Sequence, residues 1–307
     1  MPDCRAAALL AGFVLAVAPV RAEMPAAPMP VTYFTDNGDR VALAKLRARD
    51  PATLSDADRM VLDAANRLGW IEVDGCKKSS NGILIRIGDR DAVLTSRHFL
   101  FHLRTGKSFC DPEARLYYQP NAAYLPGDAA RAKERVALMP DPLTSGDFGA
   151  RIDVDEDWLI YPLEDRISDL PMPEGSWNAG LPRGAIHFSA GGAVSGAGVV
   201  IGFDGRFAKE QGWQMSTQPC RYVQTLGPPP LVAVDCDVSS GASSSFFGVE
   251  EAGELRLLGM ISRSSEGLVG TDVPVPGSAR LWNQAVMARG IYHVLATEWG
   301  AGDPVEP

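Results

Sequence analysis

Residues 234–248 read VDCDVSSGASSSFFG, and the rest of the chain is organised around this stretch. Apolar residues precede it from Leu231, and Phe246 and Phe247 close it, which is the pattern of a small-residue turn between two buried strands. Its central glycine, Gly241, lets the backbone approach a substrate closely, and an amide beside it can hold a developing negative charge. Taken alone, a serine-rich surface turn is the commoner interpretation, so residues upstream must decide whether the stretch carries a nucleophile.

Two upstream residues are candidates for the partners of a nucleophile. His98 ends the strand-like stretch AVLTSRH, where a general base is held rigidly and still faces solvent. Asp157 directly precedes the apolar run WLIYPL, and a carboxylate in that place can orient an imidazole. Each residue also has a simpler explanation. The histidine is then a packed or surface residue, and residues 153–157 are a solvated acidic loop, which lacks the glycine that an EF-hand calcium loop needs.

The order His98, Asp157, Ser243 resembles that of the chymotrypsin/trypsin-like serine peptidases. The sequence AVLTSRH, ending at His98, is similar to the strand of that family that ends in T-A-A-H. The sequence DWLI, starting at Asp157, is similar to its D-[WIL]-A-L. The sequence GASSS, starting at Gly241, is similar to its G-D-S-G-G in the laxer form of bacterial members, especially those related to glutamyl endopeptidases.

Two further stretches extend the resemblance. Asp235, Cys236 and Asp237 resemble the Asp-Cys-Asp that tends to precede the motif in the glutamyl-endopeptidase branch. The sequence LGMIS, from Leu258, resembles the following strand, which lines the specificity pocket. The likeness covers roughly residues 71–296. Each motif is weak by itself, but four of them in the right order make a specific signal.

The resemblance implies an all-β fold of two six-stranded antiparallel β-barrels with the active site in the cleft between them. It implies that Ser243 attacks a peptide carbonyl, that His98 takes and returns the proton, and that Asp157 holds the ring. The amides of Gly241 and Ser243 are expected to form the oxyanion hole. The expected substrates are proteins or peptides, and neither a metal nor an organic cofactor is expected.

Three departures from the family pattern bear on activity. Ser244 replaces the glycine that follows the nucleophile, and Phe246 replaces a common proline. A side chain at Ser244 would crowd the strand or alter the oxyanion hole, so a catalytically inactive homologue that acts as a binding protein is the alternative reading. Ala242 stands where the trypsin branch has an aspartate that captures a new N-terminus, so activation through that ion pair is not expected.

The predicted substrate-binding residues are Asp237, Ser262 and Ser264. Asp237 lies six residues before Ser243, which is the spacing of the pocket-floor aspartate in trypsin and favours Lys or Arg substrates. The glutamyl-specific relatives build their pocket differently, and Asp237 also suits a simple turn cap. Arg263 and Ser264 stand where the trypsin branch has Trp-Gly, so substrate pairing along that strand stays open.

An α/β-hydrolase esterase is a third interpretation, with Ser243, Asp272 and His293 in that fold's order of serine, acid and histidine. It fails on two counts. The sequence GASSS lacks the second glycine of the nucleophile elbow, and the chain has no regular alternation of strands and helices.

The net charge and the N-terminal residues indicate which partners and which location to expect for the protein. A net charge of -9 over 307 residues argues against nucleic acid as a partner. Arg5, the apolar run of residues 6–20 and the small-residue pattern around Ala22 predict a signal peptide that is cleaved after Ala22, with an uncleaved helix as the alternative. No later stretch has the ~20 apolar residues of a membrane span. We therefore expect a secreted or periplasmic protein without a stable membrane anchor after cleavage.

Four cysteines follow the signal peptide, and an even number in an exported chain predicts two disulfides. Three pairings are possible, and we favour the sequence-local one, Cys76 with Cys110 and Cys220 with Cys236. No C-x-x-C spacing occurs, so a zinc site is not expected.

The predicted organisation has five parts: a signal peptide at 1–22, an extension or propeptide at 23–70, a first β-barrel at 71–165, a second at 166–280, and a C-terminal helix and tail at 281–307. Residues 41–68 are predicted to be helical, with a cap at Ser55 and Asp58 and an end at Gly69. Residues 82–87 and 92–95 are predicted to form a β-hairpin, and residues 281–296 a final helix. Whether residues 23–70 are removed or permanent stays open.

Overall fold

The structure is a computed structural model that describes residues 40–120, 135–144, 151–153, 155–172, 174, 178–191, 193–205, 214–224, 231–236, 238, 241–263, 283–287 and 291. The predicted signal peptide and residues 23–39 lie outside the described residues. Within the described ranges, no helix has the length and apolar character needed to cross a membrane.

The described chain begins with two short helices. Its first elements are β1 (Val41–Ala42), α1 (Leu43–Arg47), a 3₁₀ turn (Pro51–Thr53) and α2 (Asp56–Ala65). The predicted helix start is confirmed, because the Ser55 hydroxyl accepts from the Asp58 amide at 3.1 Å and the Asp58 carboxylate accepts from the Ser55 amide at 3.3 Å. The helical prediction for residues 41–68 therefore holds for α1 and α2, but residues 41–42 and 68 are strand.

The first sheet has six strands: β2 (Leu68–Val73), β3 (Ser79–Ile87), β4 (Arg90–Thr95), β5 (Leu116–Pro120), β6 (Val136–Ala137) and β7 (Leu159–Pro162). Their spatial order is β6-β5-β2-β3-β4-β7, and each neighbouring pair is antiparallel. The predicted hairpin is confirmed: Ile83 lies opposite Leu94, and Gly88 turns the chain with a φ of 59°.

Gly69 has a different role from the one that the sequence predicts. The pattern places a helix end there, whereas the structure places Gly69 inside β2. A Cβ atom at this position would lie 2.4 Å from the carbonyl oxygen of Gln119 and 2.5 Å from the ring of Tyr118. The glycine is therefore required by the close approach of β5, and the prediction of a helix end is wrong.

The second sheet adds seven strands: β1 together with β8 (Ser195–Gly202), β9 (Ser216–Gln224), β10 (Leu231–Val234), β11 (Phe246–Glu251), β12 (Glu254–Arg263) and β13 (Asn283–Met287). The order is β1-β9-β10-β13-β12-β11-β8, and β8 also pairs with β9. Six strands therefore close into a ring, and β1 attaches to β9 at its edge. The expected two-barrel, all-β architecture is confirmed.

The predicted C-terminal helix at 281–296 is wrong over Asn283–Met287, which is the strand β13. This strand lies between β10 and β12 and pairs antiparallel with both. Ladders on both sides bind its backbone groups, and this tertiary pairing overrides the weak helical pattern of the sequence. Apart from Ile291, the remainder of the predicted helix lies outside the described residues.

One buried apolar cluster joins the N-terminal helices to both sheets. Its members include Leu43 and Leu62 from the helices, Ile85 from the first sheet and Phe246 from the second, each fully buried. Two other clusters lie within the individual sheets. Because α1 and α2 contribute to the shared core, residues 43–65 are integrated into the two-barrel unit instead of covering its surface.

The two disulfides pair as the sequence predicts. Cys76 is bonded to Cys110 beside the first sheet, and Cys220 is bonded to Cys236 in the second. The first bridge closes a loop of 34 positions and the second a loop of 16. Each barrel therefore has a covalent link of its own.

Glu254, at the start of β12, forms a small charged cluster. Its carboxylate lies 2.9 Å from Nδ1 of His187 and 2.9 Å from Nε of Arg256. Partial burial acts to raise the pKa of Glu254, but the hydrogen bonds and charges of His187 and Arg256 outweigh it and lower that pKa below its ordinary value. The folded protein therefore favours the ionised carboxylate.

Candidate active site

His98 lies just after the C-terminal end of β4, on the side of the first sheet that faces the second sheet. The strand β4 ends at Thr95, and a short 3₁₀ turn, Arg97–Phe99, carries the histidine. Its backbone amide donates to Oδ1 of Asp157 at 2.8 Å, which fixes the turn. The His98 side chain is 18% exposed, so the ring is held by the protein and still reaches solvent.

The register of two strands brings Asp157 to His98. Asp157 stands just before β7, which pairs antiparallel with β4 so that Leu159 lies opposite Thr95. The residues that precede β7 and those that follow β4 therefore lie at the same end of the sheet. Oδ2 of Asp157 lies 2.6 Å from Nδ1 of His98, and the carboxylate is fully buried.

Ser262 completes the surroundings of this carboxylate from the other sheet. It lies in β12, is 4% exposed, and donates a hydrogen bond from Oγ to Oδ2 of Asp157. The carboxylate thus accepts from the amide and ring of His98 and from one hydroxyl. Ser262 is predicted to bind substrate, and the structure places its hydroxyl against Asp157.

Ser243 comes from the second sheet, in the turn just before β11. Its Oγ lies 2.6 Å from Nε2 of His98. A carboxylate only accepts hydrogen bonds, so Nδ1 of His98 carries the ring proton that faces Asp157, and Nε2 accepts from the Ser243 hydroxyl. The three side chains that the sequence proposes as a catalytic set therefore form one continuous chain of hydrogen bonds across the two sheets.

The backbone around Gly241 leaves two amides available. Gly241 has a φ of 97°, and a Cβ atom there would lie 3.0 Å from the amide nitrogen of Gly205, so glycine is required. Among the hydrogen bonds of the described residues, none uses the amide of Gly241 or of Ser243, whereas both carbonyls accept from Nδ2 of Asn81. These two amides are the pair that the sequence predicts for an oxyanion hole.

Comparison with known proteins identifies the fold. No protein-family model matches the chain, and the curated proteins give no significant match. A thermostable serine protease, AL20, from an extremophilic microorganism matches 78% of this chain and 99% of its own, with a TM-score of 0.51 and 13% identity. A Glu endopeptidase matches 77% of this chain and 94% of its own, with a TM-score of 0.52 and 14% identity. The fold is chymotrypsin-like.

Ser244 departs from the usual sequence of the chymotrypsin-like motif, and its side chain is accommodated without crowding. Its φ is 64°, in the left-handed region that favours glycine. Its hydroxyl is fully buried and accepts from the amide of Ser96 at 2.7 Å. The hydroxyl of Ser80 lies 2.8 Å away. The side chain that sequence analysis treats as an obstacle therefore fills a polar pocket on the first sheet.

Asn81 is a site residue that sequence reasoning misses. It lies in β3, is 2% exposed, and donates from Nδ2 to the carbonyl oxygen of Ser243 at 2.8 Å. The available signal is the polar triplet Ser79, Ser80 and Asn81 directly before the apolar run of residues 83–85 in the same strand. Two of these polar residues are buried, and buried polar side chains in a strand call for partners elsewhere in the fold.

The remaining predicted site residues are Asp237 and Ser264, which lie outside the described residues. The same holds for Asp272 and His293, the partners of Ser243 in the esterase interpretation. Within the described residues, no group of three or more His, Cys, Asp or Glu side chains is arranged to hold a metal ion.

Proposed function

We propose that this protein is an exported serine endopeptidase that hydrolyses peptide bonds through Ser243, His98 and Asp157. The observation that carries the proposal is the hydrogen-bonded chain from Ser243 Oγ to His98 Nε2 and from His98 Nδ1 to Asp157, with 2.6 Å at each link. An activated nucleophile is recognised by such geometry, in which the base is itself oriented by a third group. The chymotrypsin-like fold supports the assignment.

In the proposed acylation step, Ser243 Oγ attacks the carbonyl carbon of the substrate while its proton passes to Nε2 of His98. The carbonyl oxygen becomes an oxyanion, which the amides of Gly241 and Ser243 bind. Such a donor contributes about 3–4 kcal/mol to the stabilisation of the transition state in enzymes where it has been removed. Collapse of the tetrahedral intermediate breaks the C–N bond, and the proton moves from Nε2 to the leaving amine.

Deacylation repeats the sequence with water. His98 takes a proton from the water as its oxygen attacks the acyl-enzyme, and returns that proton to Ser243 Oγ when the ester bond breaks. Asp157 holds the ring and stabilises the imidazolium form of His98. Its hydrogen bond from Ser262 keeps the carboxylate in the orientation that holds the ring. All these steps use side chains and amides of the chain, so we propose no metal or cofactor.

We further propose that residues 40–70 stay in the mature enzyme, and that any cleavage occurs before them. Val41 and Ala42 pair with Thr217 and Ser216 of β9, which makes them part of the second sheet. Arg40 forms an ion pair with Asp204 at 3.0 Å, with side chains only 2% and 4% exposed. Removing such a segment would open the shared core and a buried ion pair, so it does not behave as a detachable propeptide.

An exported location is supported by the two disulfides, because such bonds persist in oxidising compartments. The proposed route is the signal peptide at 1–22, with cleavage after Ala22 and release to the periplasm or the medium. N-terminal sequencing of the exported protein tests this part: a start at Glu23 is expected, and a retained N-terminus contradicts it.

The catalytic roles are tested by labelling with a fluorophosphonate and by hydrolysis of fluorescein-labelled casein. Ser243→Ala should abolish labelling, and Ser243→Ala and His98→Ala should each lower turnover by roughly six orders of magnitude, with little further loss when combined. His187→Ala, at an exposed histidine outside the site, is the matched control and should stay active. Folded wild-type protein that neither labels nor cleaves would favour the inactive binding protein.

The esterase interpretation is tested with the same reagents. Under the proposal, His293→Ala keeps the activity that His98→Ala loses. The reverse pattern would assign the reaction to Ser243 and His293 and would refute the role of His98.

A further inference from the structure

Buried polar side chains fill the space between the two sheets directly behind the nucleophile. We call them the inter-sheet polar cluster: Ser80, Asn81, Thr95, Ser96, Ser244 and Ser245, each at most 2% exposed. The first four belong to the first sheet or follow it, and the last two belong to the turn that carries Ser243. Burying so many polar groups would destabilise the protein unless they were hydrogen-bonded. Here they form hydrogen bonds with one another across the two sheets.

The Ser244 hydroxyl ties the nucleophile turn to the segment that carries the base. It donates to Oγ of Ser96 at 2.7 Å and accepts from the amide of Ser96 at 2.7 Å. Ser96 is two residues before His98, in the short connection between β4 and the turn of the histidine. One hydroxyl therefore links the residue after the nucleophile to the backbone just before the base.

Ser244 keeps a conformation that a glycine would adopt more easily. Its φ of 64° is strained for a residue with a side chain. In that conformation the hydroxyl points into the first sheet, where it accepts from the amide of Ser96, donates to Oγ of Ser96 and lies 2.8 Å from Oγ of Ser80. The strained backbone conformation of Ser244 is therefore offset by hydrogen bonds that link the two sheets.

Asn81 fixes the other side of the same turn. Its Nδ2 donates to the carbonyl of Ser243 at 2.8 Å and reaches the carbonyl of Gly241 at 3.4 Å. Its Oδ1 accepts from the amide of Phe203, directly after β8, at 2.7 Å. The side-chain amide therefore orients the peptide groups next to the two amides proposed for the oxyanion hole.

We propose that Asn81 and Ser244 are positioning residues that set Ser243 and the oxyanion amides against His98; the inference rests on the function proposed above. Both side chains are buried, at 2% and 0% exposure, so both act through the geometry of the turn. Hydrogen-bond donors and bases that act only in the transition state raise kcat. Displacing them should therefore lower kcat and leave the ground-state binding of substrate, and hence KM, nearly unchanged. A displacement of about 1 Å at such a site costs roughly 100-fold in rate.

The decisive variant is Ser244→Gly, because it separates positioning from stability. Glycine relieves the strain at this φ and removes the hydroxyl, so the protein folds while the link to Ser96 is lost. With p-nitrophenyl acetate as the probe, we expect kcat to fall by about 10- to 100-fold and KM to change by less than about threefold. Asn81→Ala should lower kcat in the same way, since it frees the carbonyl of Ser243.

The matched control is Ser168→Ala. Ser168 is also a buried serine, with hydrogen bonds to Asp91 at the opposite end of β4 from Ser96. Its loss should lower the urea midpoint and leave kcat of the folded protein unchanged. If Ser244→Gly and Asn81→Ala keep kcat within about twofold of the wild type, or lose activity only in proportion to the unfolded fraction, the inference is overturned.

Crystal structures of the two variants decide the question independently of turnover. Separation of His98 Nε2 and Ser243 Oγ beyond hydrogen-bond distance, about 3.5 Å, supports the inference. An unchanged distance in both variants refutes it. If the wild type neither labels with a fluorophosphonate nor hydrolyses the ester, the proposed peptidase fails, and these structures still settle whether Asn81 and Ser244 position the site.

Discussion

Replacing Arg40 by methionine tests how strongly the N-terminal segment supports the site. Nη1 of Arg40 lies 3.0 Å from Oδ2 of Asp204, and Nη2 donates to Oε1 of Gln218 at 3.3 Å. The two charged side chains are 2% and 4% exposed, so water contributes little to screening them. Methionine keeps most of the apolar stem of arginine and removes the charge.

Removing one partner of a buried ion pair costs about 3–5 kcal/mol, because the other charge stays in the interior. With a urea m-value of ~3 kcal/mol/M, Arg40→Met should therefore lower the urea midpoint by roughly 1–1.7 M. Asp204 directly precedes Gly205, whose amide packs against Gly241. Under the proposed function, activity of the folded variant should fall as well, because the turn with the amides proposed for the oxyanion hole loses its neighbouring support.

The double variant Arg40→Met/Asp204→Asn separates this charge effect from a simple loss of packing. With neither charge left, most of the lost stability should return, so the two changes are strongly non-additive. Arg49→Met is the matched control, since Arg49 forms an exposed ion pair with Asp58 and should lose less than about 1 kcal/mol. A midpoint for Arg40→Met no lower than that of Arg49→Met would refute the argument.

Two further predictions concern stability. Replacing Cys220 and Cys236 by serine opens a loop of 16 positions and should lower the free energy of unfolding by about 3 kcal/mol; an unaltered urea midpoint would contradict this. Folding lowers the pKa of Glu254, so its carboxylate stabilises the folded state above the pKa of the unfolded chain, and this stabilisation disappears as the pH falls through the folded-state pKa. Glu254→Gln should therefore be less stable than the wild type at neutral pH and equal to it in acid, and a gap that stays constant with pH would count against the assignment.

The sequence places the three proposed catalytic residues at strand ends, and the structure brings their side chains into hydrogen-bond contact. A strand that stops before His98, and another that starts after Asp157, are visible as apolar runs with a polar boundary. Antiparallel pairing then brings such boundaries together. The chemistry also restricts the choice, since few residue types can act as base, acid and nucleophile.

The supporting residues are much harder to predict, because each acts through one long-range contact. Asn81 meets the carbonyl of Ser243 across 162 positions, and no local pattern encodes that distance. The ion pair of Arg40 with Asp204 cannot be predicted from the sequence for the same reason. Sequence patterns alone therefore leave open whether the N-terminal segment is a propeptide. The strand at Asn283–Met287 depends on two neighbours that only the closed barrel provides.

The side chain at position 244 is matched to the residues that face it from the first sheet. In this protein, Ser244 fits because Ser80 and Ser96 form a socket for its hydroxyl on the opposite barrel. A loop transplanted from a protein with glycine at this position would leave Ser80 and Ser96 without the hydroxyl that they contact. Conversely, this loop grafted onto a barrel without the socket would leave the Ser244 hydroxyl without its hydrogen-bond partners. When segments are exchanged between proteins of chymotrypsin-like fold, the turn and its socket should therefore be moved as one unit.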